Sequence, residues 1–244
     1  ITFTITEHED FDSVADRLKD EGMIEYKFLF KLFASITHKK DEIIAGSYTL
    51  NTDMDYRALL AGMSANSSNR SSVTVTIPEG YNIDQIFSLL EEKGVSTVEK
   101  LRETAASHDY AFSFLQEIRL GDYRRLEGDL MPATYDFYVN HDPIFAINKL
   151  LVHFDSQVKD DFRQKVAESN YTLREILTIA SLIERETTGE DRTDIAAVIY
   201  NRLNNPDAGT QGYLQIDATL VYINGGKEPT EADKSIDSPY NTYL

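Results

Sequence analysis

Apolar and threonine residues alternate at the start of the chain, with Ile1, Phe3 and Ile5 on one side and Thr2, Thr4 and Thr6 on the other. A period of two with one apolar face predicts a strand with one buried side. The same alternation returns at Val73, Val75 and Ile77. Each strand leads into a helical pattern, with Val14 and Leu18, or Ile86 and Leu90, facing inward. Asp12 and Asp84 are the expected N-caps, and Gly22 and Gly94 stand where a helix end favours a left-handed residue. Residues 1–24 and 73–96 align without a gap. The identical pairs are Thr2/Thr74, Thr4/Thr76, Ile5/Ile77, Glu7/Glu79, Asp12/Asp84, Leu18/Leu90 and Gly22/Gly94. Identities in phase over a strand and a helix point to a duplicated module.

Between the copies, residues 26–36 carry apolar side chains at helical spacing and read as core. Residues 43–50 read as a strand and 56–63 as a short helix. Residues 64–72, small, polar and without period, read as a linker. After the second copy, residues 98–119 read as helix and 135–139 as strand. Further helices are expected at 143–154, 160–168 and 192–203, with a tail of loop and short strand from Gly209.

One helix differs in kind. Thr172 and Glu175 have the spacing of a capping box. The helix they open is apolar nearly all round, with Leu173, Ile176, Leu177, Ile179, Ala180, Leu182 and Ile183, and it runs into Glu184 and Glu186. Such a helix is expected in a core. At about 100° per residue, Glu186 projects between Ile179 and Leu182, on the apolar side. A carboxyl carried into apolar surroundings holds its proton to higher pH, which would suit it to proton donation.

Composition narrows the function classes. With 24 basic and 41 acidic residues the net charge is −17, which argues against nucleic acid as a partner and against docking on an anionic membrane surface. There is no cysteine, hence no thiol nucleophile, disulfide or thiolate metal site. The five histidines show no ligand spacing, so neither metal nor cofactor is expected. No apolar run approaches the roughly 20 residues of a membrane span.

Several segments taken together resemble the endolytic murein transglycosylases, the MltG or YceG-like family. They are Ile77-Pro-Glu-Gly80, Leu126-Glu-Gly with Pro132-Ala-Thr-Tyr135, residues 180–187, 195–203, 214–222 and 237–243. They fall in the family's order across nearly the whole chain. Two departures stand out: Ala218 replaces a more common proline, and the family pattern continues beyond the Tyr-Asn-Thr-Tyr run whereas this chain stops at Leu244.

The resemblance implies an α+β protein. N-terminal strand–helix LysM-like modules would occupy residues 1–72 and 73–125. A mainly helical, lysozyme-like catalytic domain, C-terminally truncated, would occupy residues 126–244. It implies cleavage of the MurNAc–GlcNAc bond within peptidoglycan glycan strands, and attachment to the plasma membrane by an N-terminal helix, facing outward beside peptidoglycan synthases. In such a reaction the muramic sugar's own hydroxyl is the nucleophile, so one carboxyl can act first as acid and then as base. Glu186 is the expected catalytic residue, with Glu184 in reserve. Asn201, Gln215, Asp217, Tyr240 and Asn241 are candidate sugar contacts, because sugar hydroxyls and N-acetyl groups pair with amides and carboxylates and sugar faces stack on aromatic rings. Glu127 reads as a turn anchor or a second cleft carboxylate. The competing reading is a non-catalytic glycan-binding or scaffold protein of the wall-synthesis complex.

Overall fold

The computed structural model describes residues 1–244 apart from 65–70, 117, 188, 206 and 208. The linker expected at 64–72 lies mostly outside the described residues. The chain is α+β and divides into two compact units, residues 1–157 and 158–244.

The first unit is built from two versions of one motif. In the first, β1 (Thr2–Ile5) leads to α1 (Phe11–Asp20) and α2 (Lys27–Ile36), and β2 (Gly46–Thr49) returns antiparallel to β1 with Phe3 opposite Tyr48; α3 (Tyr56–Gly62) follows. In the second, β3 (Ser72–Thr76) leads to α4 (Ile83–Glu92) and α5 (Val98–Ser107), and β4 (Thr134–Tyr138) returns antiparallel to β3 with Val75 opposite Tyr135. The aligned pairs Phe3/Val75, Ile5/Ile77, Val14/Ile86, Leu18/Leu90 and Met23/Val95 are all buried. They occupy matching places in two separate apolar clusters.

The ends of α1 and α4 match as well. Gly22 and Gly94 adopt φ of +72° and +71°, the left-handed values expected there. In each case the next N–H reaches back to the helix, Met23 to the Leu18 carbonyl and Val95 to the Leu90 carbonyl, both at 2.8 Å. The N-caps differ from expectation. Asp10 and Asn82 accept the Ser13 and Gln85 amides, each at 2.9 Å, whereas Asp12 and Asp84 sit two residues further on, within the first turn. Asp10 and Asn82 are themselves an aligned pair, so the correction keeps the repeat in phase.

The helix expected to reach residue 119 stops at Ser107. Arg125 is buried against its end, with Nε donating to the Ala105 carbonyl at 2.6 Å and a terminal nitrogen to the His108 carbonyl at 2.5 Å. A guanidinium on the last free carbonyls terminates the helix. This releases Tyr110 and Leu115 into the second core. β4 pairs with β3, and α6 (Pro143–Gln157) packs on the same cluster. Both elements belong to the first compact unit, which runs to residue 157.

The second unit holds α7 (Asp160–Glu168), α8 (Leu173–Glu186), α9 (Arg192–Asn204) and α10 (Asp217–Ile223). Its buried cluster is small: Ile179 and Leu182 of α8, Ile199 of α9, and Ile216 just before α10. α10 replaces the loop and short strand expected in the tail.

Candidate functional site

α8 begins as its sequence requires. The Thr172 hydroxyl accepts the Glu175 amide at 3.2 Å, and the Glu175 carboxylate accepts the Thr172 amide at 2.7 Å. These two bonds satisfy both partners of the capping box, and the Thr172 amide together with the Thr172 hydroxyl, which donates at 2.9 Å, holds the Glu175 carboxyl below the ordinary carboxylate range. At the far end, Thr187 leaves the helix in an extended conformation. Its hydroxyl donates to the Asp191 carboxylate at 2.5 Å and accepts the Gly189 amide at 2.9 Å, bracing the turn into α9.

The surroundings expected for Glu186 are not found. Only Ile179 and Leu182 of α8 are buried; Leu173, Ile176, Leu177 and Ile183 are half-covered, and Ala180 is exposed. Four buried residues make too small a cluster to wrap a helix that is apolar on most of its faces. Glu186 therefore stands exposed at the helix end instead of among apolar neighbours. Its carboxylate makes no hydrogen bond or ion pair with any described residue. Glu184 is engaged, at 3.3 Å from the Arg192 guanidinium.

Four of the remaining candidates are gathered by Thr242. Its carbonyl accepts the Gln215 amide and its hydroxyl accepts the Ile216 amide, each at 2.9 Å, while the Thr219 hydroxyl lies 3.0 Å from it. Thr242 thus pins the segment carrying Gln215 and Asp217 to the segment carrying Tyr240 and Asn241. Gln215 holds φ of +51°, a left-handed conformation uncommon for a residue with a side chain. Its side chain is exposed and bonds to no described residue. The Tyr243 hydroxyl donates to Asp217 at 2.5 Å, and this bond is the main reason its titration is pushed up to about 12.

Tyr240 is exposed, its ring 5.0 Å from that of Tyr222. Asn241 is buried and its amide is spent on the loop. It donates to the Lys234 and Ile236 carbonyls at 3.1 and 2.8 Å, and it accepts the Tyr243 amide at 2.9 Å. Asn201 is exposed on α9 and is not brought into this group. Its neighbour Arg202 is, donating to the Leu214 carbonyl beside Gln215. Glu127 lies in the first unit, where it accepts the Ile83 amide at 3.0 Å and anchors the start of α4. Thr242 and Arg202 had no role assigned from sequence, although their place within the Tyr-Asn-Thr-Tyr and Asn-Arg-Leu runs marked them. No group of three or more potential metal ligands occurs among the described residues.

The model of the YceG-like family matches residues 3–244. A protein of Streptococcus pneumoniae named endolytic murein transglycosylase is 29% identical over the whole of this chain, which covers 48% of that protein. A Bacillus subtilis protein of the same name is 26% identical, again over the whole chain and over 69% of its own length. The chain thus spans about half the length of the pneumococcal relative. A crystal structure of a yceG-like protein from Listeria monocytogenes superposes with a TM-score of 0.58 at 25% identity, covering all of this chain and 82% of that one.

Proposed function

This chain belongs to the YceG-like family, and on that premise we propose that it is an endolytic peptidoglycan lytic transglycosylase. One observation carries the proposal: the family match runs unbroken through both units, and curated relatives aligned over the whole chain are named for that activity. The substrate is the glycan strand of peptidoglycan, cut at the MurNAc–GlcNAc bond. The two βααβ modules are LysM-like, and residues 158–244 belong to a lysozyme-like catalytic domain. The protein works on the outer face of the plasma membrane, beside the synthases whose strands it terminates.

Glu186 is the catalytic residue in this reading. It donates a proton to the leaving glycosidic oxygen as that bond breaks. It then takes the proton from the muramic sugar's C6 hydroxyl, whose oxygen closes on the anomeric carbon. One carboxyl serves both steps because no water is added. The carboxylate is exposed in the free protein, so in this reading the bound strand is what excludes water from it. Gln215, held outward on a pinned and unusual backbone, and Asp217 contact sugar hydroxyls, and Tyr240 stacks on a sugar face. Asn241 and Thr242 shape the loop that presents them. Glu184 is the lesser candidate because its carboxylate is already engaged by Arg192 at 3.3 Å.

Glu186→Gln should abolish anhydro-ended products while leaving the far-ultraviolet circular dichroism unchanged. Glu184→Gln should retain most activity. Full activity in Glu186→Gln would end the assignment. The exposure of Glu186 also favours a second reading, a non-catalytic glycan-binding or scaffold protein of the wall-synthesis complex. Retention of glycan strands with no cleavage would support it.

A further inference from the structure

The peptide unit that joins Leu214 to Gln215 is gripped at both of its polar atoms. Its carbonyl accepts from the Arg202 guanidinium, and its N–H donates to the Thr242 carbonyl at 2.9 Å. One partner precedes the segment, on α9, and the other follows it, near the end of the chain. A peptide unit is planar, so holding its carbonyl and its N–H sets the orientation of the whole plane. Gln215 needs such a hold. Its φ of +51° brings Cβ close to the backbone, a conformation that residues with side chains avoid. Its side chain is exposed and bonds to no described residue, so nothing beyond the backbone keeps it there. The grip is also tied to the body of the second unit. Leu214 packs on the cluster that Ile179 and Leu182 of α8 form with Ile199 of α9. The helix that supplies Arg202 thus packs on the helix that carries Glu186.

We propose that Arg202 is a positioning residue, whose bond to the Leu214 carbonyl keeps the Gln215 side chain presented to the glycan strand. This rests on the reading of Gln215 as a sugar contact; Arg202 itself acts through the backbone. Arginine suits the task because its donors lie in one rigid plane, which sets direction as well as distance. Its charge also reaches the neighbouring Asp217–Tyr243 pair, where it works against the rise that Asp217 imposes on the Tyr243 hydroxyl. The same side chain therefore stands beside both candidate contacts of this segment.

Two measurements on the whole protein test this. Amide hydrogen exchange, read residue by residue, reports the grip without any substrate. Arg202→Ala should speed exchange at Gln215 by about tenfold while the amides of α8 and α9 keep their protection. Binding of purified peptidoglycan glycan strands, measured in a Glu186→Gln background so that no strand is cut, reports the consequence. Arg202→Ala and Gln215→Ala should each weaken binding by about tenfold, and the two together by no more than either alone, because one acts through the other. With Glu186 intact, Arg202→Ala should raise KM and leave kcat within about twofold. Arg202→Lys keeps a donor but loses the planar fork; it should cost about threefold in binding, and it carries the test should the alanine variant not fold. Unchanged exchange at Gln215, unchanged binding, or losses that add in the double variant would overturn the proposal and leave the glycan reading standing. Strands neither bound nor cut by the unaltered protein would end that reading and this inference with it.

Discussion

Asp84 shows how one residue's expected role changed once its neighbours were in place. Its spacing suggested an N-cap, but Asn82 takes that position. Asp84 instead accepts from Arg102 at 2.7 Å and from the Tyr123 hydroxyl at 2.9 Å, with Arg124 at 3.5 Å. Both guanidinium groups also lie over the Tyr123 ring, at 5.0 and 4.9 Å from its centre. Partial burial works to raise the Asp84 carboxyl, but the bonds from Arg102 and Tyr123 and the two positive charges outweigh it, leaving it below its ordinary value of 3.8. A carboxyl depressed on folding stabilises the fold fully above the unfolded value. It loses that contribution as pH falls from about 3.8 through the lower folded value. Asp84→Asn should therefore lower the melting temperature near neutrality and flatten the acid limb of the stability curve below pH 4. An unchanged acid limb would show that Asp84 gains nothing from its neighbours. No spacing in the sequence pointed to this network, because Arg102, Tyr123 and Arg124 reach Asp84 only through tertiary packing.

At the scale of elements, the duplicated modules were legible because their period, turn chemistry and buried positions all agree. Phe3 and Val75, Leu18 and Leu90, Gly22 and Gly94 carry the same structural demand twice. Leu18 and Leu90 are fully buried in separate clusters. Leu18→Ala and Leu90→Ala should each cost about 2–5 kcal/mol in chemical denaturation. A negligible loss at either position would mean that the two helices do not pack alike. α5 and α10 were harder to read. The end of α5 is set by Arg125 from a distant turn. α10 has only seven residues, no side-chain cap and a β-branched, aromatic composition of low helix propensity, and a buried Leu220 with Thr219 bonded to Thr242 holds it in place. α8 shows a different limit. Its capping box and length were plain in the sequence, but how far its apolar faces would be covered was not. That depends on how much chain packs around it, which periodicity does not report.

For the whole molecule, the sequence identified the ingredients of the candidate site better than their environment. The polar residues of the last third of the chain are brought together largely through Thr242, with Gln215, Asp217, Tyr240 and Asn241 on two pinned segments, while Asn201 stays apart. Glu186 is exposed, so the chemistry assigned to it depends on what a bound glycan does to its solvation. The absence of cysteine and the excess of carboxylates are compatible with a single-carboxyl mechanism that uses neither a thiol nor a basic groove. The most direct test is mass spectrometry of the glycan ends left when the protein is incubated with purified, undigested peptidoglycan strands. Internal cleavage yielding 1,6-anhydro-muramic ends, lost in Glu186→Gln, is the predicted result; reducing ends, or strands left uncut by the unaltered protein, would contradict it.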